Sequence, residues 1–327
     1  MRAVWYERHG APHEVIETGE MPTPTAGDGE VRIKLATSSV NPADCYRRRG
    51  QGGPMDGPRT VPNSDGAGVI DQVGSGIPEG WLGRRVWLYN GQRGGRAFGT
   101  AAEYIALSFD LVSALPENTG FDAGACLGIP CMTAHRAVFT DGSVEGKTVL
   151  VTGGAGAVGH YAIQLAVWGG AKAIATVSSP EKAAHAKAGG AALVLNYRTE
   201  NVAEAVREFT RGAGVDRIVD VDFGGNLATS LTVLKANSAI AVYASNGNRT
   251  PTLPVRELMQ KNVSVHGIVL NNCPIAARRQ AQADIARWLA TGRAQHTIAA
   301  RFPLARTADA HAFVESGAKL GTVLVTI

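Results

Sequence analysis

Between residues 148 and 177 the apolar positions follow two rhythms. TVLVT (148–152) and AIATV (173–177) are unbroken runs of β-branched and small apolar residues, the pattern of strands buried on both faces. Between them Val158, Tyr161, Ala162, Leu165 and Ala166 recur at i, i+3, i+4, i+7 and i+8, one apolar face of a helix, and Gly169-Gly170 supply its stop. Further apolar runs follow at LVLNY (193–197), RIVDV (217–221), AIAVYA (239–244) and VSVHGIVL (263–270), with helical segments between several of them. Strand alternating with helix predicts a doubly wound parallel sheet. Before about residue 120 the rhythm differs. RAVWY (2–6), EVRIKLATSSV (30–40), GAGVIDQVG (66–74), RRVWLYN (84–90) and AEYIAL (102–107) are short β-rich runs parted by Gly, Pro and Asp turns. They predict an all-β, barrel-like domain, with GQRGGRAFG (91–99) as a flexible loop. The tail predicts an amphipathic helix around 274–291, then ARFPL, a helix near 307–316 and a last strand TVLVTI (322–327), whose sheet the pattern does not identify.

The turn after the 148–152 strand reads Gly154-x-Gly156-x-x-Gly159. The bare spacing is also met in ligand-free strand-to-helix turns. Its place between a buried strand and a helix is the order a dinucleotide fold needs, with free N–H groups and the positive helix end facing a pyrophosphate. Gly154, Ala155, Gly156, Ala157, Val158 and Gly159 are the expected cradle. The next strand ends in Val177-Ser178-Ser179-Pro180-Glu181-Lys182. Ser179 reads as an N-cap and Pro180 as the first helical residue, so Glu181 falls in the first turn. No carboxylate stands at the strand end, where NAD-binding versions hold the ribose hydroxyls. Hydroxyls and the Lys182 ammonium there favour a 2′-phosphate, hence NADPH, against the reading of Lys182 as a solvated surface lysine.

At 327 residues two domains are expected. Apolar residues make up 45% and charged residues 18%, which provides an ample core. The net charge of +4 is too mild to indicate nucleic acid. Cys45, Cys126, Cys131 and Cys273 form no CxxC pair, so neither a disulfide framework nor a zinc knuckle is indicated. Cys126 and Cys131 lie in apolar sequence and read as core. The start MRAVWYERHG has no apolar signal core and no run is long enough to span a bilayer, which makes a cytoplasmic enzyme the default.

VNPADCYRRRG (40–50), NSDGAGVIDQVGSG (63–76), GIPCMTAHRAVF (128–139) and the glycine turn, in this order, resemble the zinc-free NADPH:quinone oxidoreductases, the zeta-crystallin-like branch of the medium-chain dehydrogenase/reductase superfamily. The resemblance runs over the whole chain. It implies a GroES-like β-rich domain (1–123), a Rossmann NADPH-binding domain with a six-stranded parallel sheet (124–268), a C-terminal segment returning to the first domain (269–327), and a homodimer or homotetramer. It further implies that Asn41 and Tyr46 line the nicotinamide end and substrate cleft, with Thr133 near the nicotinamide. Gly156, Ala157 and Val158 match the pyrophosphate turn. Ser178, Lys182 and Tyr197 match positions around the 2′-phosphate, Ala244, Ser245 and Asn246 the loop beyond the fifth strand, and Ile268, Val269 and Leu270 the backbone facing the nicotinamide amide. Ala157 replaces a glycine usual in the turn, and Gly52 stands where some members carry a second tyrosine, which implies a wider pocket. Ser64-Asp65 stand where the related zinc alcohol dehydrogenases carry His-Glu, the cysteine near Asn41 is missing, and residues 88–105 hold no cysteine. No metal is expected.

Without a metal to polarise a carbonyl, the acceptor must delocalise charge itself. The expected reaction is transfer of an electron or hydride from nicotinamide C4 to a quinone in the cleft between the domains, with Asn41 and Tyr46 bonding the acceptor oxygen or the ribose, and Tyr46 or a water supplying the proton. Reduction of enone or enal double bonds is the alternative. A structural or RNA-binding, crystallin-like role is the alternative of another class. The run Arg47-Arg48-Arg49 reads as a solvated face, with an entrance for acidic ligands as its rival.

Overall fold

The computed structural model describes residues 1–317 and 319–327. The chain forms two compact units, Met1–Ile129 with Gln282–Ile327, and Pro130–Ala281.

In the first unit a seven-stranded sheet runs in the order Ile298–Pro303, Thr322–Thr326, Glu30–Val40, Asp65–Val73, Arg85–Leu88, Val112–Ala114, and Tyr104–Ser108 also pairs with Glu30–Val40. Glu30–Val40 shows why: Val31, Ile33 and Leu35 point into the core while Arg32 and Lys34 alternate outward. The last strand is antiparallel to Glu30–Val40, with Leu324 opposite Ser39, and parallel to Ile298–Pro303. Val323 and Val325 join Ala3, Val4, Val40, Ala310 and Val314 in one core cluster, so the tail completes the first unit's interior. The glycine-rich segment 91–99 is a loop, but an anchored one. Gly91 N–H donates to Ser64 O at 2.7 Å and Gly99 N–H to Val61 O at 2.9 Å, and the Arg96 guanidinium bonds the carbonyls of Asn90 and Gly91.

The second unit holds six parallel strands in the order Leu193–Asn196, Lys172–Val177, Thr148–Val151, Val215–Asp220, Leu234–Val242, Ser264–Gly267. In chain order this is 3-2-1-4-5-6, the dinucleotide-binding arrangement. Leu150, Ile174, Leu195, Ile218 and Ile240 pack its core. The six-stranded parallel sheet expected from the sequence is present. The 263–270 run is a strand only to Gly267, because its partner strand ends at Val242; Leu270–Asn272 is a single 3-10 turn.

Candidate active site

The glycine turn leaves the central strand Thr148–Val151 and enters helix Ala157–Trp168, with Gly156 as N-cap. A Cβ on Gly159 would lie 2.3 Å from the Gly153 carbonyl oxygen, so only glycine lets the helix close on the turn. At Gly156 the nearest atom to such a Cβ is Gly153 O at 3.4 Å, which leaves that face open. The first-turn amides of Ala157, Val158 and Gly159 have no intrahelical acceptor, and no acidic residue sits among them. The cradle therefore suits a diphosphate.

Ser178, Lys182 and Tyr197 come together at the rim of the neighbouring strands. Ser179 caps helix Pro180–Ala188 by accepting from Lys182 N–H, with Pro180 at its first position. Lys182 Nζ donates to Ser178 Oγ at 3.0 Å. Tyr197 N–H donates to Val177 O at 3.1 Å, and its side chain is 53% exposed. Ala244, Ser245 and Asn246 follow strand Leu234–Val242. Ser245 Oγ accepts from Gly224 N–H at 3.0 Å and donates to Asn248 O at 2.6 Å, so this loop is tied to helix Phe223–Val233. Ile268 and Leu270 are buried and can offer a ligand only backbone, whereas Val269 is exposed. Thr133 is buried in the helical stretch after Pro130.

Sequence reasoning missed Asp220. It is wholly buried at the end of strand Val215–Asp220, and its Oδ1 accepts from Thr152 Oγ1 and Asn226 Nδ2, each at 2.8 Å. It locks the strand end that leads into the glycine turn. The visible signal was a single acidic residue closing an apolar run.

In the first unit Asn41 caps helix Pro42–Arg48, and Tyr46 lies on that helix. Asn41 N–H donates to Asp44 Oδ2 at 2.8 Å, and Asn41 Nδ2 donates to Asp65 Oδ2 at 2.6 Å. Asp44 Oδ1 accepts from Ser64 Oγ at 2.7 Å and from Arg93 of the glycine-rich loop at 2.9 Å. Tyr46 is 39% exposed with the Arg49 guanidinium 5.3 Å from its ring centre, so it is not a core aromatic. Burial, with the charge of Asp44 adding, pushes the Asp65 carboxyl up to about 8.

The arginine run is not a solvated face. Arg48 is fully buried, bonded to Glu315 and Gly10 O, because a carboxylate from far along the chain neutralises it. Arg47 pairs with Asp56, and Arg49 shares Glu315 at 3.3 Å. The space beside Gly52 is taken: a Cβ there would lie 2.8 Å from Arg47 Cγ. Burial pushes the thiols of Cys45 and Cys126 up to about 12, which leaves both inert as nucleophiles.

The polar side chains around Asn41 bond to other protein groups. The Asp65 oxygen that faces Asn41 also accepts from Ile129 N–H at 2.8 Å, and Ser64 is engaged by Asp44. Among the described residues no group of three His, Cys, Asp or Glu is placed to hold a metal ion. No helix among the described residues is long and apolar enough to cross a membrane.

Two family models match the chain: alcohol dehydrogenase GroES-like domain over residues 27–117 and zinc-binding dehydrogenase over residues 157–290. The chain is 31% identical to human quinone oxidoreductase over 312 residues, covering 95% of this chain and 93% of the relative. It is 28% identical to the chloroplastic NADPH-dependent alkenal/one oxidoreductase of Arabidopsis thaliana, over 99% of this chain and 79% of the relative. Among solved structures it is similar to an NAD-dependent alcohol dehydrogenase (TM-score 0.89, 27% identity, all of both chains). It is also similar to a mycobacterial protein complexed with NADPH (TM-score 0.84, 27% identity, all of both chains).

Proposed function

The chain belongs to the medium-chain dehydrogenase/reductase family, and from that premise we propose that it is a metal-independent, NADPH-dependent reductase of quinones. The observation that carries this is the cluster at Asn41. Where a zinc enzyme of the family needs metal ligands, this chain has an amide, a hydroxyl and two carboxyls that bond to one another.

NADPH is the cofactor, and when bound it supplies reducing equivalents at nicotinamide C4. Gly154 to Gly159 hold its diphosphate on backbone amides, and Ser178, Lys182 and Tyr197 hold the 2′-phosphate. The loop Ala244–Asn246 and the backbone of Ile268–Leu270 bound the cofactor site, with Thr133 toward the nicotinamide. Asn41 and the Tyr46 hydroxyl orient the acceptor or the adjoining ribose, and Tyr46 or water returns the proton. The Arabidopsis relative favours a second reading, reduction of the double bond of an enal or enone by the same residues. For the oligomer we propose a homodimer or homotetramer that uses strand Ser264–Gly267 as a contact. It lies at the edge of its sheet and carries exposed Val265, with exposed Val255 and Met259 on the preceding helix.

Steady-state rates on 9,10-phenanthrenequinone and on 2-alkenals, each with NADPH and NADH, test the assignment. The expected result is fastest turnover of the quinone with NADPH, unchanged after dialysis against a zinc chelator. Preference for NADH, turnover restored only by added zinc, or no turnover of either acceptor class would overturn it.

A further inference from the structure

The Asp65 carboxyl has no task in the scheme above, yet its burial is costly. It opens strand Asp65–Val73 opposite Ser39 and is fully excluded from solvent. Its Oδ2 accepts from Asn41 Nδ2 and from Ile129 N–H, while its Oδ1 has no hydrogen-bond partner among the described residues. A buried polar atom without a partner opposes folding, so an apolar residue here would be more stable.

The surroundings are shaped to hold this carboxyl. A Cβ on Gly128 would lie 2.1 Å from Asp65 Cγ and 2.3 Å from Oδ1, so the carboxyl packs flat on the glycine. Gly128 also leaves helical geometry (φ −35°, ψ −121°) within Phe121–Phe139, which frees the Ile129 N–H for the carboxyl. Asn41 is thus held twice, through its backbone N–H by Asp44 and through its side chain by Asp65. The neighbour Ser64 fixes the first of these carboxyls.

Resting on the assignment of Asn41 to the acceptor end, we propose that Asp65 is a positioning residue, which holds the Asn41 carboxamide in its ligand-bonding orientation and acts on turnover through Asn41 alone. A terminal amide torsion is broad and roughly two-fold, so an unheld Asn41 would sample both oxygen and nitrogen toward the ligand. A carboxyl at 2.6 Å selects the amino group for its own side. The charged and titratable groups that face Asp65 are Asp44 on helix Pro42–Arg48, Arg93 on the glycine-rich loop and Cys126 on helix Phe121–Phe139. Ionisation of Asp65 strengthens the clamp, since hydrogen bonds to a charged acceptor are the stronger ones.

The test compares wild type, Asp65→Asn, Asn41→Ala and the double variant on 9,10-phenanthrenequinone with NADPH. Asp65→Asn is expected to lower kcat/KM about tenfold alone and less than about twofold in the Asn41→Ala background, the non-additivity of residues acting as one unit. The wild-type pH profile is expected to inflect near 8, and the Asp65→Asn profile not to. An equal loss in both backgrounds, or no loss in either, would overturn the proposal. Should Asp65→Asn unfold, the wild type still decides. The side-chain amide protons of Asn41, assigned by their loss in Asn41→Ala, must exchange with solvent at least about tenfold more slowly than those of an exposed asparagine; exchange at the exposed rate refutes the clamp. That measurement needs no turnover, so an enzyme inactive on every quinone would sink the assigned function and leave the clamp to stand or fall separately.

Discussion

Removing the Lys182 ammonium tests the cofactor site at one atom. Lys182→Ala keeps the helix, because the cap runs from Ser179 Oγ to the backbone N–H of residue 182 and not to its side chain. It deletes a cation whose Nζ sits 3.0 Å from Ser178 Oγ at the strand rim. A charge-assisted hydrogen bond contributes about 1.5–3 kcal/mol, and Lys182 is partly solvated, so about 1–2 kcal/mol is a fair share. That corresponds to a roughly 5- to 30-fold rise in Kd for NADPH. NADH has no 2′-phosphate, so its Kd should move less than about twofold by the same reckoning. Fluorescence titration of each cofactor, at low and at physiological salt, reads both numbers. The NADPH penalty should shrink at the higher salt, because screening weakens an exposed charge pair. Equal losses for the two cofactors, or no loss for either, would remove Lys182 from the phosphate site. Ser178→Asp sharpens the contrast: a carboxylate at the rim repels the phosphate and accepts from a ribose hydroxyl, so preference should turn toward NADH.

Two further outcomes follow from the geometry. Gly159→Ala puts a methyl group 2.3 Å from Gly153 O, and relieving it should lower stability by roughly 1–3 kcal/mol and weaken NADPH at least about tenfold; wild-type values for Tm and Kd would refute the close approach. His311 is wholly buried, with Nε2 2.9 Å from Asn63 Oδ1, and burial with the nearby Arg48 charge lowers it from 6.5 to about 3. A lowered folded pKa means that protons bind the unfolded chain better, so the stability tied to the neutral ring is complete above 6.5 and is lost as pH falls toward 3. Urea unfolding should show wild type losing about 2 kcal/mol more than His311→Gln between about pH 6.5 and 5, and parallel losses would show that this ring does not titrate on unfolding.

What could be read from the chain divides along the range of the interactions. The parallel strands were legible because burial on both faces writes an unbroken apolar run, and the Ser179-Pro180 cap because it is built from adjacent residues. Helix Pro42–Arg48 was not, since its first turn is Pro-Ala-Asp and its last turn arginine, with no apolar face to mark it. Arg48 looked solvated because the carboxylate that neutralises it, Glu315, lies 267 residues away. The clamp on Asn41 was hidden for the same reason: Asp65, Gly128 and Ile129 meet only through the folded sheet. The sheet of the last strand depended on a partner, Glu30–Val40, that no local pattern names.

The proposed acceptor end carries a prediction about which molecules can be reduced. We assign Tyr46 as the neutral donor there, while the Asn41 amino group is held by Asp65 and its oxygen suits a ribose hydroxyl. One well-placed donor to developing negative charge is worth about 2.7–4 kcal/mol at best. An isolated ketone must localise a full alkoxide on one oxygen, which zinc enzymes meet with a metal charge. A quinone spreads that charge over its ring and asks far less of the protein. Rates across a panel should therefore track how readily the acceptor takes electrons, from ortho-quinones through enals down to simple ketones. Cyclohexanone should be slower than 9,10-phenanthrenequinone by at least about a thousandfold, the rate equivalent of roughly 4 kcal/mol. The comparison must be made at saturating NADPH, so that differences in cofactor binding do not enter. If metal-stripped protein reduced cyclohexanone at a rate near that of the quinone, one neutral donor could not account for it, and a stronger electrophile within this chain would have to be sought.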